Sequence, residues 1–420
     1  PAAARAALAA ELRARAFTPA AAAPGAPRIG AEAELIALDA ATGGPCALHR
    51  TLLPFLRRHG AREGWRERRS AKGTPLFALP DGGTISFEPG GQLEYGTPPC
   101  ASASALLARL RAVLAPLVRA AGDAGIALLA VGIDPVNPVR DAPLQLHAER
   151  YVKMARYLAT IGEAGARMMR QTAALQVSLD LGAEPERRWR VLNAMAPYLT
   201  AIFANSAIHA GLPTGCASWR AHGWRLLDPT RTGIPPHGGD PVEGYLDFAL
   251  GARAMMCPGP DGAYEPFGAL LARGDASPAE WEEHLTTLFP EVRPRGWLEV
   301  RSCDAVPLEW QAAPIALLVG IACEPRALRE AEALLGEPDE ALLERAGRCG
   351  VHDPVLARRA CDLAEIALAG CAALHGYISP ADAERARAFF DAYTRRGRTL
   401  ADDALEAHGA REGRRIAAGA

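Results

Sequence analysis

Apolar and polar residues alternate with period two along Ile29-Gly30-Ala31-Glu32-Ala33-Glu34-Leu35-Ile36-Ala37-Leu38, and again over residues 172–181; both stretches are predicted strands. Residues 75–79 and 84–87 are apolar runs around Asp81-Gly82-Gly83, the pattern of a hairpin. Strands are also expected at 126–133 and at Trp297-Leu298-Glu299-Val300-Arg301. Helical spacing marks 1–17, with Leu8, Leu12 and Phe17 as its stripe, then 51–72 at its start, 101–124, 147–170 and 185–208. A helix at 278–289 has Ser277 as its N-cap. From residue 314 onward the pattern is all helix, broken near Pro325, Gly336, Gly347 and Pro380. Residues 18–28 form a Pro/Ala/Gly linker, and 211–240 a long loop whose two tryptophans and three arginines argue against disorder. The expected units are therefore 1–28 (helix and linker), 29–310 (a catalytic body) and 311–420 (helices packed on that body).

Chemistry enters through the strand period. Residues two apart share a face, so Glu32 joins Glu34 and Glu299 joins Arg301, while Glu88 and Glu94 flank the turn Pro89-Gly90-Gly91. One such pair alone is equally well a solvated feature of a surface strand. If these strands share a sheet, five carboxylates converge. Two unit charges about 4 Å apart repel by roughly 4 kcal/mol at an effective dielectric of about 20. Such a cluster needs counter-charge, and an all-oxygen set selects Mg²⁺ or Mn²⁺, with phosphates completing the shell.

Composition narrows the partners. The 420 residues carry 46 basic and 48 acidic side chains, a net charge of −2, which offers no basic field for nucleic acid or an anionic membrane. No apolar run reaches the roughly 18 to 20 residues of a membrane span. Nine cysteines without regular spacing fit a reduced cytoplasm rather than a disulfide scaffold. The Ala/Arg-rich start could be mistaken for a transit peptide, but that bias runs through the whole chain. Only two lysines, Lys72 and Lys153, accompany the arginines. There is no G-x-x-x-x-G-K-[ST] loop, no dinucleotide glycine motif, no G-x-S-x-G and no H-E-x-x-H.

The run His284-Leu285-Thr286-Thr287-Leu288-Phe289-Pro290-Glu291-Val292-Arg293-Pro294-Arg295-Gly296-Trp297-Leu298-Glu299-Val300-Arg301 resembles the signature of the type-2 glutamate-cysteine ligases, plant-like and ergothioneine-pathway enzymes among them. So do Gly30-Ala31-Glu32-Ala33-Glu34, Glu88-Pro89-Gly90-Gly91-Gln92-Leu93-Glu94, Met168-Met169-Arg170-Gln171-Thr172 with Gln176-Val177, and Asp228 with Arg231-Thr232-Gly233, all in the family's order. The resemblance implies an α+β fold like that of glutamine synthetase: a curved, mostly antiparallel six-stranded sheet, a funnel surrounded by helices, with a helical C-terminal region. It implies ATP and two or three Mg²⁺ ions (or Mn²⁺) as cofactors, and L-glutamate and L-cysteine as substrates. γ-Glutamyl phosphate would form first and γ-glutamylcysteine second, in ergothioneine or glutathione synthesis. Carried over by motif, Glu32, Glu34, Glu88, Glu94, Glu299 and Gln176 become metal ligands, and Arg301 and Glu299 the catalytic pair. Arg301, Arg150 and Tyr151 would meet the nucleotide.

Arg220, Arg231, Trp224 and Asp228 match substrate-facing positions, although either arginine could instead pin its own loop through Asp228, and Trp224 could be a buried anchor. Where the family commonly shows Gln-Val-Asn-Leu-Asp this chain has Gln176-Val177-Ser178-Leu179-Asp180, which leaves the amine acceptor open. Two alternatives stand beside the main reading: the same acyl-phosphate chemistry with another amine, and a non-catalytic relative that binds glutamate or nucleotide. A cytoplasmic monomer or homodimer is expected.

Overall fold

Burial alternates over the first half of Ile29–Asp39 (β1), with Ile29, Ala31 and Ala33 buried and Gly30 and Glu32 half-buried, and the strand is buried on both faces from Ala33 to Leu38. The computed structural model describes residues 2–18, 28–259 and 262–418. Its other strands are Arg66–Arg69 (β2), Pro75–Ala78 (β3), Thr84–Phe87 (β4), Leu93–Gly96 (β5), Ile126–Leu129 (β6), Leu175–Asp180 (β7), Ile208–His209 (β8), Leu212–Pro213 (β9), Val292–Pro294 (β10) and Trp297–Val300 (β11). Nine of them form one sheet in the order β10-β11-β7-β1-β5-β4-β3-β2, with β6 on the far half of β1, and every pairing is antiparallel.

The sheet is thus wider than the six strands expected. Two of the additions gave no apolar alternation to read: β2 is Arg-Glu-Arg-Arg with all four residues exposed, and β10 is three residues ending in proline. The strand expected at 126–133 stops at Leu129, and the helix expected at 147–170 is two, Glu149–Ala159 and Glu163–Gln171, parted at Gly162 with φ 110°. The loop at 211–240 contains two short helices, Trp219–Arg225 and Pro229–Thr232, and further helices at Pro241–Gly251 and Phe267–Arg273 were not foreseen. The 278–289 helix closes at Leu285, with Ser277 in a full capping box. Most of the expected linker, residues 19–27, lies outside the described residues.

One face of the sheet is apolar and is covered by Ala103–Asp123 and Pro185–Ile202. Leu106, Leu107, Leu110, Leu114 and Leu117 make the buried stripe of the first, and Ser102 caps it by accepting from Ala105 N at 3.1 Å. All residues of Ala312–Ala322 are buried. This helix meets Pro354–Ala373 so closely that a Cβ on Gly320 would lie 2.1 Å from the Ala367 carbonyl oxygen. The C-terminal helices accordingly stack on one another and on the two sheet-covering helices, as a second layer. The opposite face of the sheet is polar, and it carries the site.

Candidate active site

Cross-strand register assembles the acidic face. Glu32 stands opposite Gln176, Glu34 opposite Glu94, Glu94 opposite Ser86, and Glu299 opposite Ser178. Glu88 follows β4 directly and belongs to a turn, closed by Gly91 N donating to Glu88 O at 2.8 Å and Glu88 N to Gln92 O at 2.9 Å. Gln92 Nε2 donates to Thr172 O at 3.0 Å, tying this turn to the segment before β7. The result is a triad: Glu34, Glu88 and Glu94 each offer a carboxylate oxygen within 4.8 Å of the others.

Burial and mutual repulsion hold protons on this cluster. Burial first, then Glu94, pushes Glu32 up to about 8; burial, then Glu34, pushes Glu88 up to about 7; and burial, then Glu88, pushes Glu94 up to about 8. Glu34 is raised as well, chiefly by burial. An oxygen-only donor set whose ionisation is opposed by burial and mutual repulsion fits a hard divalent cation, which would supply the opposite charge.

Glu299 lies in different company. Burial would raise it, but Arg293, Arg301 and Arg295 together bring it down to about 2. Its Oε2 accepts from Arg293 Nε at 2.8 Å and Arg301 Nη1 at 2.9 Å, and its Oε1 from Arg295 Nη1 at 3.3 Å. Arg301 Nη1 also donates to Gln176 Oε1 at 2.5 Å, and Gln176 Nε2 to Glu34 Oε1 at 2.7 Å. Gln176, read from the sequence as a metal ligand, is here a bridge between the guanidinium wall and the triad, its one ligating atom accepting from Arg301. Arg293 and Arg295 had no role in the sequence reading; the signal was the β10–β11 hairpin, which sets Arg293 opposite Glu299.

Two chambers meet at this floor. One, of about 340 Å³, is lined by Glu34, Glu88 and Glu94 and walled by Tyr151, Met154, Met168, Trp224 and Phe289. Arg150 and Arg220 also line it, and Arg150 donates to Thr286 Oγ1 at 2.7 Å. The other, of about 720 Å³, shares Glu32 and Arg295 with the first and extends past Gly30, Thr84, Gly96 and Trp297. Ser178 lines this second chamber, apart from the Met/Trp wall, so its departure from the family pattern falls away from that wall.

Of the loop residues, Arg220 reaches the cleft. It is held from behind by donating to Arg301 O at 2.8 Å and lies 3.6 Å from buried Asp304. Arg231 is only 1% exposed, pairs with Asp228 at 2.9 Å and donates to Thr287 O, while Asp228 caps Pro229–Thr232 and accepts from Tyr157. Neither lines the chambers: this pair pins its own loop, the alternative left open above. Trp224 lines the cleft with its buried Nε1 lacking a hydrogen-bond partner.

A cluster of buried carboxylates suited to a divalent cation, beside guanidiniums and where two chambers meet, is the constellation of a site for metal-bound polyphosphate, the class to which phosphoryl-transfer ligases belong. The family model described as glutamate-cysteine ligase family 2 matches residues 28–418, and the chain belongs to that family. Glutamate–cysteine ligase EgtA of Mycolicibacterium smegmatis is 34% identical over 343 residues, covering 77% of this chain and 78% of the relative. EgtA of Mycobacterium tuberculosis is 36% identical over 300 residues, 66% and 68% of the two chains, and the chloroplastic glutamate–cysteine ligase of Medicago truncatula is 35% identical over 254, 57% and 50%. The solved glutamate–cysteine ligase of Francisella tularensis, in complex with AMP, shares the fold with a TM-score of 0.52 at 11% identity, covering 87% of this chain and 81% of that one. No helix of the described residues is long and apolar enough to cross a membrane.

Proposed function

We propose that the chain is an ATP-dependent ligase that joins L-glutamate to L-cysteine through γ-glutamyl phosphate, releasing ADP, phosphate and γ-glutamylcysteine. A γ-carboxylate oxygen attacks the terminal phosphorus and ADP leaves. The cysteine amine, having lost its ammonium proton, then attacks the acyl carbon and phosphate leaves. The observation that carries this reading is the triad of carboxylate oxygens within 4.8 Å facing the Arg293–Arg295–Arg301 wall. Carboxylate and triphosphate repel each other, and a site that brings them together has to supply positive charge on both sides of the transferring group.

The two chambers divide the substrates. The nucleotide takes the chamber past Gly30, Gly96 and Trp297, so that its phosphates reach Glu32 and Arg295; glutamate and cysteine take the one beside the triad. On this arrangement Arg150 and Tyr151 serve the amino-acid end. Glu34, Glu88 and Glu94 would hold one divalent cation and Glu32 would contribute to a second, and these ions would neutralise phosphate and carboxylate oxygens. Arg301 orients the transferring phosphoryl group, and Glu299 fixes Arg301 by accepting from it. Arg220 is placed to take a substrate carboxylate. The Met154, Met168, Trp224 and Phe289 wall suits a small, polarisable side chain, which favours cysteine as acceptor.

The test is ADP release by the purified protein with Mg·ATP and L-glutamate, without and with L-cysteine and a panel of other amines, with products read by mass. Cysteine-dependent ADP and a γ-glutamylcysteine mass are expected. ADP release that requires a different amine would overturn the acceptor, and no release with any amine would overturn the ligase.

A further inference from the structure

Lys72 is one of two lysines in the chain, and it is the one at the cleft. It sits at the tip of the β2–β3 hairpin, on a turn built to hold its shape: Ser70 N donates to Thr74 O at 2.9 Å, Gly73 N to Ser70 O at 2.9 Å, and Lys72 N to Ser70 Oγ at 3.2 Å. The Ser70 and Thr74 hydroxyls bond each other at 2.6 Å, Arg69 Nη1 donates to Gly73 O at 2.8 Å, and Gly73 has the φ of 77° that this turn needs. Lys153, the other lysine, is spent on an ion pair with Glu149 at 2.8 Å. Among the described residues the Lys72 ammonium makes no hydrogen bond or ion pair.

Its position is a rim. Lys72 lines the amino-acid chamber and also a neighbouring groove of about 840 Å³ bordered by Arg57, Arg68 and Arg69. It shares the amino-acid chamber with Arg150, Arg293, Arg295 and Arg301 and with Glu32, Glu34, Glu88 and Glu94; Glu299 already pairs with Arg293, Arg295 and Arg301, whereas among the described residues the Lys72 ammonium pairs with no carboxylate. An ammonium left without a carboxylate partner at this rim is free to meet an anionic ligand. On the ligase reading above, on which this inference rests, a phosphoryl group moving from the nucleotide chamber toward Glu34, Glu88 and Glu94 passes between Arg293–Arg295 on one side and Glu88 on the other. Lys72 lines the same chamber.

We propose that Lys72 contacts the transferring phosphoryl group, as a rim cation that completes the positive surround once nucleotide and glutamate are bound. A flexible ammonium with three donors can follow phosphate oxygens as they move, which a forked guanidinium locked in a network cannot do. Unlike Arg293, Arg295 and Arg301, Lys72 is not already bound to Glu299.

The test compares Lys72→Met and Lys72→Arg with the parent enzyme. Losing one charge-assisted contact made in the transition state should lower kcat of K72M about 10- to 100-fold, with KM for glutamate nearly unchanged. K72R should recover a large part of that loss. Because Ser70, Thr74 and the backbone hold the turn, both variants should melt with the parent. A K72M kcat within about twofold of the parent, or a defect confined to KM for glutamate or for the amine, would overturn the proposal. Should the parent show no turnover, the ligase reading fails by itself. Lys72 is then judged by the Kd of Mg·ADP with aluminium fluoride and L-glutamate, a mimic of the group in transfer, which K72M should weaken about tenfold, an unchanged value overturning the proposal.

Discussion

At the scale of single residues, the carboxyls of the floor make stability depend on pH in a direction opposite to the usual one. Glu32, Glu88 and Glu94, raised to about 8, 7 and 8, bind protons in the folded chain at pH values where the unfolded chain has released them. Their contribution is therefore complete below an unfolded pKa of about 4.3 and is lost as pH rises through the folded values. Glu299, lowered to about 2, contributes above about 4.3 and loses that contribution only as pH falls toward 2. Metal-free protein should thus melt at a lower temperature at pH 8 than at pH 5.5, and saturating Mg²⁺ should remove most of the difference; a slope that Mg²⁺ leaves untouched would speak against a cation at the triad. By the same argument Glu94→Gln should raise the melting temperature of the metal-free protein at pH 8 while lowering turnover at least about 100-fold, since it relieves repulsion and deletes a ligand. The five glutamates were legible in the sequence because Glu32 and Glu34 sit two apart on an apolar strand, Glu299 shares a strand face with Arg301, and Glu88 and Glu94 flank a glycine turn. Arg293 and Arg295 were not, because arginine is so common in this chain that none stands out.

At the scale of elements, the turn at 88–92 decides whether Glu88 joins the floor. Gly90 lies so close to the end of Glu163–Gln171 that a Cβ would sit 2.1 Å from the Arg170 carbonyl oxygen. Gly90→Ala must push the turn off the helix, at a cost of about 1–3 kcal/mol or more, and carry Glu88 with it. Urea unfolding should show the loss, and a Mg²⁺ titration of activity should shift to higher concentration; a variant that loses stability yet keeps its Mg²⁺ dependence would uncouple the turn from the site. The hairpin at 75–87 and the strand at 297–300 could be read from their apolar runs, whereas β2 could not. Its four exposed charged residues carry no period-two signal, and only pairing with β3 makes it a strand.

At the scale of the whole molecule, the helical region after residue 311 is not a detachable unit. Ala312–Ala322 is buried on all sides, against Ala103–Asp123, Pro185–Ile202 and the helices that follow it. We expect one calorimetric unfolding transition for the full chain and no cooperative transition for residues 1–310 alone, since that fragment would expose the apolar sides of both sheet-covering helices. Two well-separated transitions in the full chain would contradict this. Spacing alone determined that the chain mixes strands and helices, that Glu32 and Glu34 share a strand face, and that the chain is helical beyond about residue 314, because these are local properties; the α+β fold was implied by the family resemblance. The tertiary structure decided which charges meet. Glu34 and Glu94 converge through the register of β1 on β5, Glu299 is drawn into arginines by the fold-back of β10 on β11, and Arg231 is turned inward to Asp228. Each of these depends on pairing between segments whose alignment the spacing within either one does not specify.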